Sequence, residues 1–244
     1  MKLIINADDF GFSKSINKGI IDSYNEGLIS TTTIMINMPY VEDAIELWKQ
    51  NKGLGLGLHI NITVGKPISD NIPSLVDNNG VFNYIREWEN HNFEYIDVYK
   101  EVKSQIEKLI QYDVVIDHLD CHNDLMNNKM FRKVFFDLVL EYNLPVRCDN
   151  EDARYEARRN NIKTTDCWCC DFFKDNAQYE TILEYMGNNK EANSIEIMTH
   201  VGYIDDDTRN RSSHLSREEE INELRKLKEI GFYNKYKLST YSEL

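Results

Sequence analysis

Short β-branched runs alternate with longer amphipathic stretches along almost the whole chain, and this alternation limits the fold more than any other feature. LIIN (3–6), TTTIMIN (31–37), GLGLGLHIN (53–61), VVIDHLD (114–120), LPVRC (144–148), SIEIMTH (194–200) and KLST (237–240) read as strands. Between them lie helical patterns. Ser13 caps a stretch in which Ile16, Ile20, Tyr24 and Leu28 share a face, with Gly27 near its end. Residues 41–50 put Ala44, Leu47 and Trp48 on one side, and 96–112 do the same with Val102, Ile106, Leu109 and Ile110. Further helices are expected over 130–142, 177–187 and 216–230. In the last, Ser216 and Glu219 have capping-box spacing and Gly231 follows the end. Its many charges suggest an ordinary surface helix.

Several of the strands are apolar throughout rather than alternating. They must therefore be covered on both faces, which calls for a parallel sheet flanked by helices. Seven or eight strands within 244 residues fit a distorted, TIM-barrel-like (β/α) barrel of the α/β class better than an open sheet. No linker or repeat divides the chain, so residues 1–244 read as a single catalytic domain. Residues 64–94, rich in Asn, Asp, Gly and Pro, form a long excursion or lid with little regular structure. Its Phe82, Tyr84 and Trp88 are candidates for sugar stacking, a satellite core or a dimer contact. The charged 149–166 segment suggests no element.

The strand ends are unusual. The first run leads into Asp8-Asp9, the third contains His59, the fourth leads into His118, Asp120 and His122, and the 194–200 run ends in His200. In a parallel α/β barrel all strand C-termini open on one face, where active sites lie. Four separate strands would thus deliver carboxylates and imidazoles to one mouth. One carboxylate and two imidazoles make a common ligand set for a divalent metal with an open coordination position. A second carboxylate of the Asp8-Asp9 pair would remain as a general base. Neighbouring strand residues face opposite ways, so joint use of both requires a bend, which the turn-like Gly11–Ser13 segment allows. Asp120 is placed to orient a ligand histidine, and His118 reads equally as a core group.

NADDFG (6–11), GLHINIT (57–63), HLDCH (118–122) and IMTHVGY (197–203) together resemble the YdjC-like carbohydrate deacetylases, the family that includes chitooligosaccharide deacetylase. The four segments occur in the family's order, and Arg217 with Glu223-Leu224 is similar to its C-terminal pattern. The resemblance implies a distorted (β/α) barrel, a divalent metal (Mg or Zn) and removal of an N-acetyl group from an amino sugar or chitooligosaccharide. By position, Asp9, His59 and His122 would be the metal ligands and Asp8 the base. His200 would be the general acid. Arg147 and Tyr203 would contact substrate, or Arg147 would orient a carboxylate. The chain departs from the family pattern at Asn123-Asp124, where another histidine is usual, and at Val201, where proline is usual. These changes bear on substrate identity rather than on the ligands.

Composition narrows the partners. With 28 bases against 41 acids the net charge is −13, which repels phosphate backbones and argues against nucleic acid. No apolar run is long enough for a membrane span, and the first residues lack a signal-peptide pattern. Five cysteines, an odd number, read as reduced thiols in a cytoplasmic protein. The C-x-x-C spacing at Cys167–Cys170 is expected to serve packing rather than zinc. A small-molecule amino-sugar substrate and a homodimer are the expected partners. Two rivals stand beside the deacetylase: a metal-dependent phosphoesterase, which would want more cations than the one Arg147 at these strand ends, and a non-catalytic carbohydrate-binding protein.

Overall fold

The computed structural model describes residues 1–83, 90–206, 208 and 215–244. Its central strand, β1 (Lys2–Phe10), is buried along nearly all its length. It is followed by α1 (Lys14–Asn25), β2 (Thr31–Ile34), α2 (Val41–Lys49), β3 (Gly55–Ile60), α3 (Tyr95–Ile110) and β4 (Leu119–Cys121). Then come α4 (Lys129–Tyr142), α5 (Glu151–Arg159), β5 (Cys167–Cys169), α6 (Tyr179–Asn188), β6 (Ser194–Thr199), α7 (Arg217–Glu229) and β7 (Lys237–Leu238). All strand pairings are parallel, in the order β4-β3-β2-β1-β6-β5, with β7 beside the start of β1. The expected α/β barrel-like class is what the chain adopts.

The sheet curls because segments too irregular for strands carry it onward from β4. Leu119 N donates to Pro145 O at 2.9 Å, Arg147 N to Leu119 O at 3.0 Å, and Val146 N to Lys163 O at 2.9 Å. The expected 144–148 strand is thus reduced to one parallel bridge, Leu119–Val146. Pro145 has no amide to give the ladder. The expected 114–120 strand likewise shrinks to β4, since Val115 is 90% exposed and Asp117 turns its carboxylate to the chain terminus.

Local chemistry explains most elements. Ser13 Oγ accepts from Ile16 N at 3.2 Å and opens α1. The 149–166 segment contains α5, which the apolar pattern hides because only Ala153, Arg154 and Ala157 are buried. Its signal is in caps and charges: Asn150 accepts from Ala153 N, acids occupy the first turn and arginines the last. The expected capping box at Ser216 does not form. Ser216 has helical backbone angles (φ −87°, ψ −3°), so its hydroxyl cannot turn back on the first-turn amides.

The excursion is better anchored than its composition suggests. The buried Glu101 carboxylate accepts from Ile68 N and Ser69 N at 3.0 and 2.8 Å, and Asp97 accepts from Ser74 N. Ile72, Leu75 and Phe82 are buried in the core, which settles Phe82 as a packing residue. Tyr84 and Trp88 lie outside the described residues.

Gly57 on β3 shows why glycine recurs there. A Cβ at this position would stand 2.7 Å from His118 O and 2.8 Å from the Thr33 methyl carbon. Gly57→Ala should therefore destabilise the protein by about 1–3 kcal/mol, read as a lower urea midpoint at unchanged m-value.

Candidate metal centre

Asp8 and Asp9 both reach the barrel mouth because β1 breaks its register between Ala7 and Phe10. Asp9 takes φ +72°, a left-handed conformation that aspartate tolerates better than most residues. This kink is the bend that joint use of both carboxylates requires. His59 lies one residue before the end of β3, directly opposite Asp120 on β4. His122 follows β4 and is held by His122 N donating to Ile60 O at 2.9 Å.

Asp9 Oδ1 is buried and accepts no hydrogen bond. His59 Nε2 stands 3.5 Å from it and His122 Nδ1 3.3 Å. The three atoms lie within 4.8 Å of one another. An unpartnered buried carboxylate oxygen is costly by itself. Here it shares one point with two imidazole nitrogens, and this donor set fits a divalent cation. The other oxygen of Asp9 is taken by the buried Arg217 guanidinium, which also donates to His200 O at 3.1 Å. His59 Nδ1 contacts Asp120 Oδ1 at 2.7 Å, which directs Nε2 to the shared point. Burial opposes a charge on His59, but Asp120 and then Asp8 outweigh it and push the imidazole up to about 9. Burial would raise Asp9 too, yet Arg217 beside it holds the carboxyl well below the usual range.

Asp8, His59 and Asp120 also approach one another. That grouping does not suit a cation, because Arg147 already lies 2.8 Å from Asp8 and 2.9 Å from Asp120. Arg147 binds Asp8 through both terminal nitrogens, and Asn6 Nδ2 donates to Asp8 Oδ1 at 2.8 Å. Burial works against the Asp8 charge, but Arg147 and then His59 keep it well below the carboxylate range. His200 Nε2 is 4.0 Å from Asp8 Oδ2, and its ring lies 4.7 Å from that of Phe173. Burial pushes His200 down to about 4, more than Asp8 raises it.

The two residues expected at the substrate both have partners within the protein. Arg147 is not at a rim: it is 3% exposed and its guanidinium is enclosed by Asp8, Asp120 and Glu196. Orienting a carboxylate, the other reading of this residue, is what the geometry favours. The Tyr203 hydroxyl donates to Asp22 on α1 at 2.8 Å, with Lys18 over its ring. His118 is outside the cluster as well, stacked on Tyr241 at 4.1 Å. Cys167 and Cys169 on β5 and Cys170 just after it are free thiols that range from buried to exposed, and no cysteine joins a metal-sized grouping among the described residues.

Sequence reading gave no place in the site to two contributors, Arg217, noted only within the C-terminal pattern, and Glu220. Arg217 and Glu220 are buried on α7, which is therefore not a simple surface helix. Their signal is periodic: Arg217, Glu220, Ile221 and Leu224 fall at helical spacing, so two charges sit on the apolar stripe. Glu220 Oε2 accepts from His200 N at 2.5 Å, and burial pushes the carboxyl up to about 8. A carboxyl raised from 4.5 to about 8 on folding keeps a proton that the unfolded chain loses, so its contribution to stability falls as pH rises through that window. Glu220→Gln mimics the neutral acid. Its melting temperature should match that of the unsubstituted protein below about pH 4.5, exceed it increasingly as pH rises toward about 8 and by a steady margin beyond, in thermal melts across that range.

Residues 2–236 match the family model described as YdjC-like protein. A carbohydrate deacetylase from Clostridium beijerinckii is 36% identical over 237 residues, covering 96% of this chain and 95% of that protein. A carbohydrate deacetylase from Thermoanaerobacter pseudethanolicus is 34% identical, covering 89% of this chain and 87% of its own. A crystal structure of a protein from Enterococcus faecalis V583 superposes with a TM-score of 0.91 at 29% identity, covering 99% and 98% of the two chains. With the family model spanning nearly its whole length, the chain belongs to the YdjC-like protein family.

Proposed function

We propose that this chain is a carbohydrate deacetylase: a divalent-metal-dependent hydrolase, formed as one domain, that removes an N-acetyl group from an amino sugar or chitooligosaccharide and releases acetate. The observation that carries the reading is the unpartnered Asp9 Oδ1 facing two imidazole nitrogens, with Asp8 and His200 adjoining. The relatives named carbohydrate deacetylase support the reaction class. The free thiols fit a reducing compartment such as the cytoplasm.

Asp9 Oδ1, His59 Nε2 and His122 Nδ1 would hold the cation. When bound, such an ion polarises a carbonyl and makes a water molecule more acidic. Asp8 takes the proton from the attacking water. Arg147 makes protonated Asp8 a poor resting place, so the proton has reason to move on. His200 Nε2, 4.0 Å away and held neutral by burial, is the basic atom placed to receive it. It then yields the proton to the leaving amine nitrogen, so that acetate and a free amino sugar result. Arg217 and Asp120 keep the ligand atoms aimed. Among the described residues, the Arg147 and Arg217 guanidinium groups at the site are both occupied by carboxylates, which disfavours a phosphoesterase.

Acetate release from N,N′-diacetylchitobiose, measured with and without chelator, tests this reading. Release that stops with chelator and returns with added metal is expected; none under any metal tested would refute it. His200→Ala should lower kcat by roughly 10²–10⁴-fold while bound metal stays unchanged.

A further inference from the structure

A buried polar column runs from Asp8 to the opposite end of the barrel, where the last residues of the chain close it. Arg147 Nε donates to Glu196 Oε1 at 2.8 Å, and Nη2 lies 2.6 Å from the same oxygen. The other Glu196 oxygen accepts from the Tyr241 hydroxyl. Glu196 and Tyr241 are both 0% exposed. Glu196 sits on β6 opposite Ile4, deep below the mouth. Tyr241 is itself fixed: its amide and that of Ser242 donate to the two Asp117 oxygens at 3.0 and 3.1 Å, and its ring stacks on His118.

The geometry points to Tyr241 and Glu196 as positioning residues that hold the Arg147 guanidinium in the plane where it grips both Asp8 oxygens. A guanidinium has a rigid fork of donors, so fixing its Nε side fixes the direction of the far nitrogens. Glu196 is the group on that side. Without the Tyr241 hydroxyl, Glu196 loses the partner of its second oxygen and can turn within its pocket, taking Arg147 with it. The closed end of the barrel would thus act on the reaction without touching substrate or metal. This inference rests on Asp8 being the base.

The test compares Glu196→Gln, Tyr241→Phe and Glu243→Ala in the full chain. Glu243 accepts from Thr240 N and pairs with Lys237, so Glu243→Ala loosens the same terminal segment but leaves the column's own bonds and the Asp117 clamp on Tyr241 intact. Four quantities are read: kcat and KM for acetate release, bound metal, melting temperature, and the NMR resonance of the Arg147 Nε–H group. Glu196→Gln should lower kcat at least tenfold and Tyr241→Phe at least threefold, with KM and bound metal within twofold of the parent. Both should move the Arg147 resonance. Glu243→Ala should lower the melting temperature, leave kcat within twofold and leave the resonance in place. An unmoved resonance in Tyr241→Phe, or a kcat loss in Glu243→Ala equal to that of Tyr241→Phe, would overturn the inference and reduce the column to a structural device. A parent protein that releases no acetate would instead refute the role of Asp8, and the resonance alone would then decide whether the column positions Arg147.

Discussion

Replacing His59 with alanine is expected to abolish both cation binding and acetate release. His59 Nε2 is one of three donors converging on a single point, and its ring also carries the only link between that point and Asp120 Oδ1 among the described contacts. The substitution therefore removes a ligand and leaves the Asp120 carboxylate short of a partner in a buried place. Losing an outer partner alone typically weakens a metal about 10–100-fold, so Asp120→Asn should fall in that range and His59→Ala well beyond it. Metal content after dialysis, measured beside activity, separates the two. Because the free imidazole is pushed up to about 9, the incoming cation must displace a proton. Metal affinity of the parent protein should then weaken as pH falls below about 9, and titrations at several pH values read this directly. A His59→Ala protein with full metal and full activity would end the assignment of the centre.

Arg147→Met should be the most destabilising single change at the site. Arg147 is buried among Asp8, Asp120 and Glu196, three carboxylates that are themselves almost wholly buried. Breaking a buried ion pair by removing one partner typically costs about 3–5 kcal/mol, since the remaining charge has no compensation. For a chain of this size that corresponds to a fall in melting temperature of roughly 6–20 °C. The pH dependence gives the cause away. In the parent protein Asp8 is held low by Arg147, so its contribution to stability is present above the ordinary carboxylate pKa and is lost as pH falls through the lowered value. In Arg147→Met the Asp8 carboxyl, left with its burial, rises instead, and the folded state takes up a proton. The gap between variant and parent should therefore narrow as pH is lowered toward about 5. A gap that stays constant with pH would point to lost packing of the long side chain rather than to exposed charge.

Much of the centre was legible because the fold class makes strand ends meaningful. Once the apolar runs imply a parallel barrel, Asp8, Asp9, His59, His122 and His200 must fall near one mouth whatever their separation in sequence. The terminal strand residues are also where polar groups gain solvent or ligand instead of a partner in the core. Arg147 was visible as a residue but not as a buried one. Nothing local distinguishes an arginine that enters a ring of carboxylates from one that lies on a rim. The partner of Tyr203 was hidden for a related reason: its bond to Asp22 joins residues 181 apart along the chain.

The amino-acid sequence by itself determined most of the helices, the strands that carry the mouth residues and the set of groups delivered there, though not α5 or β5, because hydrophobic period and capping chemistry are local properties. Only the tertiary structure decided which groups are paired. The left-handed turn at Asp9, the Arg217 and Glu220 side chains on the inner face of α7, and the column from Tyr241 to Asp8 all depend on residues that meet only after the barrel curls. Their charges are tolerated inside because low-dielectric surroundings strengthen each pairing, and that balance is set by distances between segments remote in the chain.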